Sequence, residues 1–214
     1  MLVGPIVFAL TVVSLLGGSQ QPAGTMVEPW IDTSNRDAVA VAWSLEQRRA
    51  APSMAWTGSY DTCEAGDSAR DLALATVARV NYYRAMAGVP ASVRLNDQFS
   101  DKAQHAALTM SATGELSHAP DDSFTCLDPT AREGAANSNL YLGRIGPAAI
   151  DGYIEDPGER NRDVGHRNTI LHPPTTEMGV GHVAGGEGRY AANALWVFDD
   201  DVFADNPPVR EPEG

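Results

Sequence analysis

Apolar residues recur at helical spacing through the first two thirds of the chain and alternate like a strand only near its end. From about Arg36 to Arg49, Ala38, Val41, Ala42 and Leu45 mark a short helix, with Ser34 or Asn35 as its cap. The clearest helix spans about 68–87. Asp67 or Ser68 caps it, Leu72, Ala75, Val80, Tyr83 and Ala87 form its apolar stripe, and Gly88 and Pro90 end it. The next runs from Asn96 to about Thr113, with Phe99, Ala103, Ala106, Ala107 and Met110 inward and Gly114 as its stop. The alanines on that face permit close approach of a neighbour. Short helices are predicted near 130–137 and 147–156, the second opening on Pro147.

Strand signals follow. Residues 178–183 alternate small and apolar side chains, a glycine-rich turn occupies 184–188, and 190–198 reads as a central strand. The pair predicts an antiparallel hairpin. Helices first and strands last make an α+β chain rather than an alternating α/β one. Residues 50–67 and 115–130 read as loops.

The ends read differently. Residues 1–18 are mostly apolar, long enough for the hydrophobic stretch of a signal peptide and short for a membrane span of ~20 residues. No lysine or arginine precedes the run, so an uncleaved N-terminal anchor is the alternative to cleavage. The expected organisation is signal peptide or anchor over 1–18, linker and extension over 19–66, one domain over 67–200, and an acidic, proline-rich tail over 201–214. The run Asp199 to Asp201 lacks the spacing of a calcium loop and reads as a solvated charge run.

Composition narrows the function. With 43% hydrophobic and 20% charged residues the chain buries a real core. A net charge of −13 repels phosphate backbones, so nucleic-acid partners are not expected, and it disfavours simple electrostatic docking on anionic lipid. The expected location is secreted or cell envelope, with membrane contact only through an uncleaved N-terminus. Cys63 and Cys126 read as a disulfide in an exported protein, two buried free thiols being the alternative.

The candidate chemistry is carried by His118, in Leu116-Ser117-His118, and by His166, in Gly165-His166-Arg167, with Glu155 and Asp156 shortly before the second. Forty-eight residues separate the histidines, so any meeting depends on the fold. Read from the residues alone, they are either loop histidines satisfied by carbonyls or two imidazole ligands. In the second case a carboxylate at 155 or 156 ligates beside them or orients one ring. His172, before two prolines, is expected to be structural, and His182, in a strand, half-buried or at the surface. Arg167 is expected to pair with local carboxylates such as Asp163. There is no Cys-x-x-Cys, no Gly-x-Ser-x-Gly and no glycine loop opening a helix.

Seven segments in order resemble the CAP superfamily, shared by cysteine-rich secretory proteins, antigen 5 and pathogenesis-related proteins, and more narrowly its bacterial secreted branch. They are residues 80–89, 103–107, 116–118, 138–140, 165–173, 178–181 and 194–197, and the resemblance covers about 68–198. It implies a three-layer α-β-α sandwich with a small antiparallel sheet between helical layers. It also implies a cleft with two histidines and two acids that binds zinc in some members. His118 and His166 match the histidines, and Asp156 falls where one family glutamate sits. The other glutamate belongs before the asparagine of a Gly-Glu-Asn-Ile-like run, where this chain has Asn137-Ser138-Asn139-Leu140. A hydroxyl there is no carboxylate base and a poor zinc ligand.

Two functions follow as expectations. One is a secreted, non-catalytic binding module for a lipid, a cell-wall component or a protein, whose cleft (His118, His166, Asp156, Glu155, Ser138, Asn139) holds zinc or another divalent metal or none. The other is a zinc-assisted hydrolase using His118, His166 and Asp156.

Overall fold

A computed structural model describes residues 31–48, 52–186 and 188–198. The expected export segment, the acidic tail and Asp199 to Asp201 lie outside them. The described elements run α1 (Arg36–Arg48), α2 (Arg70–Met86), β1 (Arg94–Leu95), α3 (Asp97–Thr113), α4 (Pro129–Asn137), β2 (Ser138–Leu142), α5 (Pro147–Glu155), a short 3-10 turn (Glu159–Asn161), α6 (Gly165–Ile170), β3 (Glu177–Val183) and β4 (Ala192–Trp196). No helix among these residues is long and apolar enough to cross a membrane.

Local chemistry places the ends of the helices. The Asn96 side chain accepts from the N–H groups of Gln98 and Phe99, and Gly114 closes α3 in the left-handed conformation. Asp128 caps α4 by accepting from Ala131 N–H, and Pro129 and Pro147 occupy first-turn positions where no N–H is missed.

The sheet order is β1-β3-β4-β2. The predicted hairpin is present as antiparallel β3 and β4, and β4 also pairs antiparallel with β2. β4 is shorter than the pattern suggested. The two-residue β1 adds a parallel edge to β3 that the sequence pattern did not mark.

Strand alternation divides the core into two. Leu140, Leu142, Val183, Ala192, Ala194 and Trp196 pack with the alanines of α3 and with Ala135 of α4. Tyr141, Met178, Val180 and Leu195 pack with α2, α5 and α6. The result is the α-β-α sandwich, helices on both faces of a small sheet. Gly179 and Gly181 let α3 lie on β3, because a Cβ at either would sit within 2.3 Å of α3 backbone atoms.

The Cys63–Cys126 disulfide forms, and no free cysteine is left. It ties the segment before α2 to the loop after α3. The same segment is held by the Tyr60 hydroxyl, which lies 2.6 Å from both Ser111 Oγ and the Ala184 carbonyl oxygen.

One buried polar residue departs from the sequence reading, and a second was not singled out by it. His182 is fully buried. Asn193 Nδ2 lies 3.0 Å from its Nδ1, and Thr76 Oγ1 lies 3.1 Å from its Nε2. Its strand lies in the middle of the sheet with helices over both faces, which periodicity alone does not reveal. Burial without a counter-charge pushes its pKa down to about 3. Arg84 is also fully buried and donates to five carbonyls, those of Pro90, Ile170, His172, Pro173 and Thr175. Desolvation lowers its pKa to about 10. It knots the α6–β3 connection, including the backbone of His172.

Candidate functional site

The site is built around the junction where α4 passes directly into β2. His118 lies exposed in the turn after α3, and its Nδ1 meets the carbonyl of Ala135 at 2.9 Å. A carbonyl only accepts, so Nδ1 carries the proton and the neutral ring keeps a bare lone pair on Nε2. Four residues on, Asn139 Nδ2 donates to the carbonyl of His166 at 3.2 Å and to Thr169 Oγ1 at 3.0 Å. Thr169 Oγ1 lies 2.9 Å from the same His166 carbonyl. The two histidines, 48 residues apart in sequence, are thus tied to the same short stretch. Its ends, Ala135 and Asn139, are at most about 14 Å apart.

His166 opens α6 after Val164, a β-branched residue held at φ 49°, where such side chains are rarely found. Its Nδ1 contacts Asp156 Oδ1 at 2.7 Å. Asp156 ends α5 in the left-handed conformation, which Asp tolerates better than most residues. Its side chain is 0% exposed, whereas that of His166 is 23% exposed. The carboxylate therefore orients the partly exposed imidazole through Nδ1 and leaves Nε2 uncommitted to it. The Tyr153 ring lies against the imidazole, centroids 5.3 Å apart.

Not every sequence candidate joins this arrangement. Glu155 points outward to Arg144, 3.8 Å away. Arg167 donates to the carbonyls of Ile154 and Glu155 instead of pairing with Asp163, and so ties α6 to α5. Ser138 is buried beside the junction, its Oγ without a hydrogen-bond partner. It sits opposite Trp196, whose Nε1 is likewise buried and unpartnered. Thr169 and Tyr153 were missed from sequence. The signal for each was its spacing, Thr169 one turn beyond His166 and Tyr153 one turn before Asp156.

A structural zinc site takes four protein ligands and a catalytic one three. Among the described residues no three His, Cys, Asp or Glu side chains stand close enough to share an ion. Asp156 is committed to His166, and Ser138 supplies no charge. The donor set does not fit such a metal centre.

Comparison with known proteins identifies the family. The family model described as CAP, cysteine-rich secretory protein family, matches residues 77–199, more than half of the chain. Among solved structures, the chain is similar to the CAP domain of Enterococcal PrgA. The two are 16% identical over 87% of this chain and 90% of that one, with a TM-score of 0.46. Among curated proteins none matches. His118, Asp156, His166 and the α4–β2 junction all fall inside the matched span, and the chain belongs to the cysteine-rich secretory protein (CAP) family.

Proposed function

We propose that this CAP-domain protein is exported and acts as a non-catalytic binding module through the cleft between the His118 turn and α6. One observation carries the reading. The carboxylate of the site is withdrawn from solvent and spent on His166 Nδ1. A general base must come within hydrogen-bond reach of the proton it takes, which Asp156 in this position does not. Ser138 stands where the family's second acid belongs, and both cysteines are locked in the disulfide.

What the cleft offers is two imidazole nitrogens with bare lone pairs, one on each side of the junction. They accept hydrogen bonds. With a net charge of −13, the surface favours neutral or cationic ligands over polyanions. A cell-envelope saccharide or peptide, rich in hydroxyl and amide donors, fits that chemistry better than an acidic lipid. The test is native mass spectrometry of protein exported from its own host, followed by calorimetry with soluble peptidoglycan fragments. Binding should weaken roughly tenfold or more in the His118→Ala/His166→Ala double variant, since two hydrogen bonds contribute about 1 kcal/mol each. Equal affinity in the double variant removes the cleft from the reading.

The Asp156–His166 pair favours one second reading, a hydrolase in which His166 Nε2 takes a proton from water. A carboxylate behind an imidazole is the usual support for such a base. Fragment turnover that disappears in His166→Ala would establish it and overturn the binding-only reading.

A further inference from the structure

We infer that Tyr153 is a positioning residue for the cleft, setting the plane of His166 from beneath through its ring and its hydroxyl together. The inference rests on the reading of His166 as a cleft group. Tyr153 is 1% exposed, so it never meets a ligand itself. Its ring packs on the imidazole of His166, tilted by 34°. Its hydroxyl lies 2.8 Å from Asn193 Oδ1 on β4 and 2.9 Å from the carbonyl of Asn139 on β2. One phenol, its single proton shared between the two acceptors, thus ties α5 to two neighbouring strands.

Three residues on, the same helix ends in Asp156, which holds His166 Nδ1. Tyr153 and Asp156 leave one turn of α5 together, so the hydroxyl that fixes this turn against the sheet also fixes the carboxylate against the ring. Asn139 closes the loop. Its carbonyl faces Tyr153 while its side chain holds the His166 carbonyl and Thr169. His166 is therefore held at three points, its ring face, its Nδ1 and its backbone carbonyl, and Tyr153 acts on the first directly and on the second by way of α5. Burial keeps the phenol neutral by raising its pKa well above the ordinary value, so its donor is retained across the physiological range.

The experiment is long-range 15N–1H correlation of the histidine ring nitrogens in the whole, ligand-free protein at pH 7.5, on wild type, Tyr153→Phe and Tyr153→Leu. His118, held from the other side by Ala135, is the internal control. In wild type, His166 should be the Nδ1–H tautomer, with its ring protons displaced upfield by the Tyr153 ring current. In Tyr153→Phe the fraction of the other tautomer should at least double. Tyr153→Leu should also lose the upfield displacement, with His118 unmoved in both. Unchanged His166 tautomers in the folded variants would overturn the inference. So would the absence of any ring-current displacement in wild type, which requires no variant to fold. Because no ligand is present, a negative result here is distinct from a failure of the binding-module reading.

Discussion

Acid should unfold this domain through His182 ahead of what its carboxylates alone would cause. The ring is fully buried between α2 and the sheet, with Thr76 and Asn193 as partners and no carboxylate against it. Its folded-state pKa is pushed down to about 3, while in the unfolded chain it titrates near 6.5. Between those values the unfolded chain binds a proton that the folded one refuses. The contribution is fully present above about pH 6.5 and is lost as pH falls toward 3, by up to about 1.4 kcal/mol per pH unit. Between pH 6 and pH 4 the loss from this one side chain is roughly 2–3 kcal/mol, a large part of a typical domain's stability. The assay is urea unfolding at closely spaced pH values on wild type and His182→Gln, which keeps a neutral polar group in the strand. The variant should start less stable near pH 7 and lose roughly 2–3 kcal/mol less than wild type on acidification to pH 4. Parallel losses in the two proteins would refute the reasoning. A wild-type His182 ring whose NMR shifts titrate near pH 6 in the folded state would refute it as well.

Other perturbations test the packing. Reducing the Cys63–Cys126 bridge, or replacing both residues by serine, should cost about 4 kcal/mol in the chain-entropy model for this 63-residue separation, read as a fall in unfolding midpoint under denaturant. A loss under 1 kcal/mol would mean the bridge constrains little. Gly181→Ala puts a Cβ about 2.3 Å from the backbone of Ala103 and should cost at least about 3 kcal/mol or prevent folding, followed by thermal unfolding; an unchanged midpoint would refute the close packing of α3 on β3. Arg84→Met removes the donors to five carbonyls and should destabilise by roughly 3 kcal/mol or more, with amide exchange accelerated first over 170–175; a neutral substitution there would contradict the role assigned to the guanidinium.

Much of the fold was legible because its signals are local. The stripe of α2, the start of α3 at Asn96 and its stop at Gly114, and Pro147 at the start of α5 each express backbone chemistry within a few residues. The strand β1 was not legible: two residues carry no periodicity, and only pairing with β3 makes them a strand. His182 was misread for a related reason. Alternation assigns a residue to one side of a sheet and does not say whether a helix covers that side.

The site divides in the same way. Types and order along the chain named His118, His166, Asp156 and the serine at 138. The division of labour among them is tertiary. Asp156 becomes an orienting group because the end of α5 turns its carboxylate inward, while the adjacent Glu155 turns out to Arg144. One residue's rotation about a helix axis decides which carboxylate is buried, and no local signal separates the two.

By itself, the sequence determined the helical and strand periods, the Asn35 cap of α1, the Gly114 stop of α3, the pairing of acid and histidine types, and a charge unsuited to polyanions; the cap it offered for α2, Asp67 or Ser68, is not used, because Ala69 takes that position with no side-chain hydrogen bond. Tertiary structure alone decided that Ala135 and Asn139 tether the two histidines to one junction, that Tyr153 lies beneath one of them, and that His182 is sealed in the sheet. The physical reason is range. Backbone preferences act over a few residues, whereas burial and hydrogen-bond partnership between distant segments exist only once the layers have closed.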